Sequence, residues 1–221
     1  MFDLFVNADG GLTSAGYGLC IALGIVFFVL AIALAGKASD KKRLTTRQLV
    51  FCSMALALGY VTSFIKVIDM PWGGSVTLCS MLFIVLIANW YGARVGLLVG
   101  FVYGILQFIQ GPYVLSLFQV CCDYLFAFTA LGVAGFFAKS KHGLVIGYLV
   151  GVLARGAFHS LGGYLYWMEY MPDNFPRQLT AIYPIAYNYS YILVEAIITI
   201  IIISIPAMSS ALARIKKEAL S

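Results

Sequence analysis

Leu153–Trp167 reads LARGAFHSLGGYLYW. The stretch is apolar enough to sit in a bilayer, yet it carries Arg155, His159 and Trp167, with Gly156, Gly162 and Gly163 between them. His159, Gly163 and Trp167 are spaced by four, which places them on one slightly drifting stripe of a helix. A lipid-facing surface would not carry an imidazole, because an unpaired polar group in hydrocarbon is costly. Two readings follow. One is a helix–helix interface, with small residues for close packing and a hydrogen-bonded histidine. The other is a pocket wall: an imidazole, a large π-face, and a glycine leaving room for a flat ligand.

Composition narrows the class. The chain of 221 residues is 62% hydrophobic and 10% charged, with a mean hydropathy of +0.95. Those values lie outside the range of a soluble domain. The five cysteines (Cys20, Cys52, Cys79, Cys121, Cys122) sit in apolar runs without CxxC spacing. They read as small core residues, with no metal or disulfide framework. The net charge of +5 is gathered between hydrophobic stretches, which points to membrane orientation and away from nucleic acid.

Seven hydrophobic segments are expected to span: 17–36, 44–67, 76–91, 93–110, 114–138, 143–170 and 179–206. The first ends in ALAG, but its positive charges (Lys37, Lys41, Lys42, Arg43, Arg47) follow the run and none precedes it. It therefore reads as an anchor, not a cleaved leader. Placing that cluster in the cytoplasm and alternating puts 11 of the 14 Lys and Arg residues inside. Only Lys66 and Arg177 fall outside, and Arg155 lies within a span. The charge pattern thus predicts an all-α membrane protein with its N-terminus outside and C-terminus inside. Residues 1–36 form an outer segment and added helix, and 37–221 form one domain.

Depth groups the buried polar residues. Asp123 lies roughly 13 Å below the outer surface on its inward-running span, by the helical rise. Asn188 falls at a similar depth, and His159 and Trp167 lie in the outer half of theirs. Tyr113, Tyr183 and Trp72 sit at the outer edge, where an interfacial aromatic belt is the alternative explanation. A carboxylate within a membrane points to function, aromatic faces attract cations, and Asn188 offers a donor and an acceptor. The set suits a flat, heteroaromatic, cationic small molecule.

Several runs resemble one family: WGGSVTLCSML from Trp72, GFVYGILQ from Gly100, LSLFQVCCDYL from Leu115, HSLGGYLYW from His159 and YPIAYNYSY from Tyr183. Over about residues 44–206 the chain is similar to the thiamine-specific substrate-binding subunit (S-component) of energy-coupling factor vitamin transporters. The resemblance implies a six-helix core, to which the N-terminal helix is extra. It also implies an outward-facing thiamine pocket made by Trp72, Tyr113, Asp123, Tyr124, His159, Gly163, Trp167, Tyr183 and Asn188. Aromatic rings and the histidine would sandwich the vitamin's two rings, while the carboxylate and asparagine hold its polar and charged atoms. Asp123 stands where the best-known members have glutamate, so the charge survives with a reach one methylene shorter.

Such a subunit does no chemistry and needs no cofactor or metal, with thiamine as its ligand. The chain has no GxxxxGK[ST] phosphate loop, so an ATP-driven step would come from two ATPase subunits and a transmembrane coupling subunit. Ser53 and Ala57, like Ala55 and Gly59, are small-xxx-small pairs that permit close helix approach. Ser53 and Ala57 are the expected docking face for the coupling subunit. Glu195, seven residues after Asn188, reads as a hydrogen-bonded packing residue or a partner of Arg155. It also defines the alternative function, a stand-alone proton-coupled vitamin or nucleobase carrier using Asp123 and Glu195 as relay groups. An intramembrane enzyme would need a nucleophile–base pair or metal cluster, which His159 and one aspartate do not supply.

Overall fold

Thr45 starts the first continuously described helix by a capping box. Its hydroxyl accepts from the Gln48 backbone N–H (3.3 Å), and the Gln48 side chain accepts from the Thr45 N–H (3.0 Å). The computed structural model describes residues 44–221 except Pro112, with isolated positions between 13 and 33. The expected first span over 17–36 therefore lies outside the continuously described residues.

Helix α1 (Thr46–Ser63) leads into a two-stranded antiparallel hairpin, β1 (Lys66–Asp69) and β2 (Ser75–Thr77). Then come α2 (Ser80–Tyr91), α3 (Ala93–Gln110), α4 (Leu117–Phe137), α5 (Gly143–Tyr170), α6 (Arg177–Ser204) and α7 (Pro206–Leu220). Helices α3 to α6 are long and apolar enough to cross a membrane. In α1 the polar first turn Thr46-Arg47-Gln48 shortens the apolar run.

Three expectations are corrected. The segment 44–67 is helical only to Ser63, and the segment 76–91 begins as strand, because the hairpin occupies 66–77. A chain expected to be all-α thus carries one small sheet. The turn glycines between the strands suit it: Gly73 (φ 98°) and Gly74 (φ 77°) adopt positive-φ conformations that allow a tight reversal. The third correction is at the C-terminus. Ile205 is extended (φ −62°, ψ 127°) and Pro206 opens a separate helix, as a residue before proline disfavours the helical region while proline fits a first turn.

Helix α2 has 12 residues, about 18 Å at the helical rise, so it is shorter than a bilayer core. It is nonetheless the centre of the bundle. Met81, Ile84, Val85, Ile87 and Ala88 are fully buried, and they share one core with Cys52 and Ala55 of α1, Tyr103 of α3, Leu131 of α4, Tyr148 of α5 and Ile192 of α6. A helix apolar all round belongs inside a protein.

Helix α3 lies close to α4 along Gly96, Gly100 and Gly104. A Cβ on Gly100 would come 2.5 Å from the Phe128 carbonyl oxygen, and one on Gly104 would come 2.5 Å from that of Tyr124. Backbone cannot yield there as a side-chain tip can. Gly100→Ala is expected to cost about 1–3 kcal/mol through overpacking, lowering the melting temperature of the purified chain. Gly111→Ala, where the added Cβ meets nothing within 4 Å, should leave it unchanged.

Candidate functional site

Two helices that carry the expected site residues depart from α-geometry where those residues lie. Cys121–Phe126 in α4 and Gly163–Trp167 in α5 are π-helical turns, a rare geometry that recurs at functional sites. Asp123 and Tyr124 sit in the first turn, Gly163 and Trp167 in the second. The wider turns aim them into one cavity of about 460 Å³. All nine expected residues line it: Trp72, Tyr113, Asp123, Tyr124, His159, Gly163, Trp167, Tyr183 and Asn188.

Asp123 is the polar centre. Its Oδ2 accepts from Gln119 Nε2 (2.7 Å) and from the Trp167 indole N–H (3.1 Å), and its Oδ1 lies 3.5 Å from His159 Nδ1. Arg155 Nε donates to His159 Nε2 (3.3 Å). The ring's own proton in its neutral form therefore sits on Nδ1, facing Asp123. The Arg155 guanidinium also stands over the Phe128 ring, 4.5 Å from its centroid. Arg155 thus acts behind the histidine. It is not among the lining residues, and its packing explains how a cation is tolerated at that depth.

The aromatic residues play different parts. Tyr113 packs on Trp167 with centroids 4.9 Å apart. The Tyr124 hydroxyl donates to the Gly111 carbonyl (3.0 Å) and accepts from the Tyr113 N–H (3.2 Å), so it pins the loop carrying Tyr113. Trp72 meets Phe175 edge-on at 4.9 Å, and Phe175 meets Tyr183 in the same way at 4.9 Å. Asn188 has one donor and its acceptor already engaged, with the Pro184 carbonyl (2.8 Å) and the Tyr191 hydroxyl (3.0 Å).

Gly163 differs from its expected role. It lines the cavity, but the space of its missing Cβ is taken by Pro184, whose Cβ would lie 2.7 Å away. The glycine lets α5 meet α6 rather than making room for a flat ligand. Seven lining residues were not anticipated: Gln107, Gln119, Phe128, Tyr170, Pro184, Tyr187 and Tyr191. Helical spacing could have found several, since Gln119 precedes Asp123 by four, and Tyr187 and Tyr191 follow Tyr183 by four and eight.

Away from the cavity, Ser53 and Ala57 are exposed on α1, whereas Ala55 and Gly59 are buried. Gly59 faces Ser80 and Tyr103. Glu195 is 2% exposed and does not line the cavity. It pairs with the start of α2, not with Arg155. Among the described residues no three His, Cys, Asp or Glu side chains converge as a metal site would require.

The sequence model described as Thiamine transporter protein (Thia_YuaJ) matches residues 49–214. The chain belongs to this thiamine transporter family. A curated member of the family, "Thiamine transporter ThiT" of Bacillus subtilis (strain 168), is 30% identical over 162 residues, covering 65% of this chain and 80% of the relative. A solved structure of ThiT from Listeria monocytogenes superposes with a TM-score of 0.56 at 25% identity, covering 72% of this chain and 94% of that one. This thiamine transporter family member is therefore a membrane protein of a transporter family, not an enzyme. All sixteen cavity residues named above fall inside the family match, while the N-terminal segment falls outside it.

Proposed function

We propose that the chain binds thiamine with high affinity and takes it up as the substrate-specific subunit of an ATP-driven energy-coupling factor transporter. In this reading it lies in the cell membrane with its N-terminus outside and its C-terminus inside. The domain of 37–221, a six-helix core of α1 to α6 followed by α7, holds the vitamin, and the segment 1–36 is an addition to it. A transmembrane coupling subunit and two ATPase subunits supply the energy, and the exposed pair Ser53 and Ala57 on α1 forms part of the docking face.

The observation that carries the reading is a single carboxylate, Asp123, set among aromatic rings drawn from separate segments of the chain. A thiazolium ring is a flat cation. Asp123 balances its charge, Trp167, Tyr113 and Trp72 offer π-faces to it, and the remaining capacity of Asn188 and the Asp123–His159 pair serve the aminopyrimidine. Membership of a thiamine transporter family supports the substrate.

Equilibrium binding of radiolabelled thiamine to the purified chain, with tryptophan quenching as a second readout, tests this directly. Saturable one-to-one binding is expected, and its absence would overturn the proposal. In proteoliposomes the chain alone should take up no thiamine under a pH gradient, and should do so once joined by a coupling module and ATP. Uptake by the chain alone would favour the proton-coupled carrier.

A further inference from the structure

The face of α6 toward the hairpin is a ladder with a rung every four residues: Tyr183, Tyr187, Tyr191 and Glu195. The hairpin matches it in order. Trp72 reaches Tyr183 through Phe175. A Cβ on Gly73 would meet Tyr187 at 3.2 Å, and one on Gly74 would meet Tyr191 at 2.5 Å. At the foot of the ladder Glu195 takes four donors. Its Oε2 accepts from the backbone N–H (3.0 Å) and hydroxyl (2.7 Å) of Thr77, and its Oε1 from the Ser80 hydroxyl (3.3 Å) and the Met81 N–H (3.5 Å).

Those donors span the joint between β2 and α2. Cys79, at that joint, is the lone non-glycine among the described residues with positive φ (54°), and no side chain of its own caps α2. A carboxylate from another helix accepts one of the orphan N–H groups there, that of Met81, instead. The three upper rungs border the cavity, while Glu195 does not.

We propose that Glu195 is a positioning residue for ligand binding: by tying the root of the hairpin to α6, it fixes where Trp72 stands over the cavity. The proposal rests on the thiamine-binding reading for its ligand. It gives Glu195 an anchoring role, because the backbone N–H groups of Thr77 and Met81 can only donate and each meets a different oxygen of the carboxyl group.

Glu195→Gln keeps the shape but turns one acceptor oxygen into an amide facing donors. Thiamine affinity is expected to fall about tenfold, the effect of one or two buried donors left unpaired. In a Trp72→Ala background the same change should cost less than about twofold, since its effect passes through Trp72. A full additive loss there, or wild-type affinity in Glu195→Gln, would overturn the proposal. Thr77→Val, which removes the hydroxyl shared by Glu195 and Ser80 but keeps the Thr77 N–H donor, should follow the same pattern with a smaller loss and serves if Glu195→Gln does not fold. A ligand-free readout separates this proposal from the thiamine assignment. In Trp90→Phe/Trp167→Phe protein, Trp72 is the single tryptophan, and Glu195→Gln should raise its quenching by acrylamide. Unchanged quenching would overturn the positioning role even if thiamine binds; raised quenching without thiamine binding by the wild-type chain would sink only the thiamine assignment.

Discussion

Asp123→Asn is expected to weaken thiamine binding by roughly 30- to 150-fold, about 2–3 kcal/mol, the lower part of the range for removing one partner of a buried charge pair. Two effects add. The ligand's positive charge loses its counter-charge in a site walled by rings. The asparagine also presents an NH2 group where the carboxylate accepted from Gln119, Trp167 and His159, so at least one donor is left unpaired. The charge component is read by comparison with an analogue carrying a neutral ring in place of the thiazolium, which should lose only a few-fold. Equal losses for both ligands would mean that Asp123 makes no charge pair. Asp123→Glu keeps the charge with a longer reach and should retain most of the affinity.

Trp167→Ala is expected to cost on the order of 1–3 kcal/mol through lost stacking and cation–π attraction. The indole has two roles, and a second variant separates them. Its ring packs with Tyr113 at 4.9 Å, while its N–H donates to Asp123 at 3.1 Å. Trp167→Phe removes the donor and keeps an aromatic face, so it should fall between wild type and Trp167→Ala. Isothermal titration of both variants with thiamine provides the check. Wild-type affinity in Trp167→Ala would remove the residue from the site.

Much of the site was legible in the sequence because depth in a membrane is a linear measure. Counting residues from a charged edge places Asp123, His159 and Asn188 at one level, and the structure brings them to one cavity. What the count cannot give is direction around the helix axis. Gly163 shows this: its position in the stripe was plain, but that Pro184 fills the space beside it depends on how α5 and α6 pack. The hairpin was hidden because Val67 and Val76 read as the ends of the apolar runs of α1 and α2, with the polar Asp69–Ser75 stretch as a plain turn between spans. Helix α7 was hidden for the opposite reason, since its charged run reads as the cytoplasmic edge of the preceding span. Glu195 was visible as an expensive buried carboxylate, but its four donors lie more than 110 positions away in the chain.

The two widened turns in α4 and α5 carry an evolutionary cost. Each holds one more residue than a regular helix of the same height, and deleting that residue would restore ordinary backbone bonding. It would also swing everything beyond it by about 100° about the axis, carrying Asp123 or Trp167 off the cavity. Variants selected purely for heat resistance are thus expected to straighten these helices and emerge sturdier but blind to their cargo.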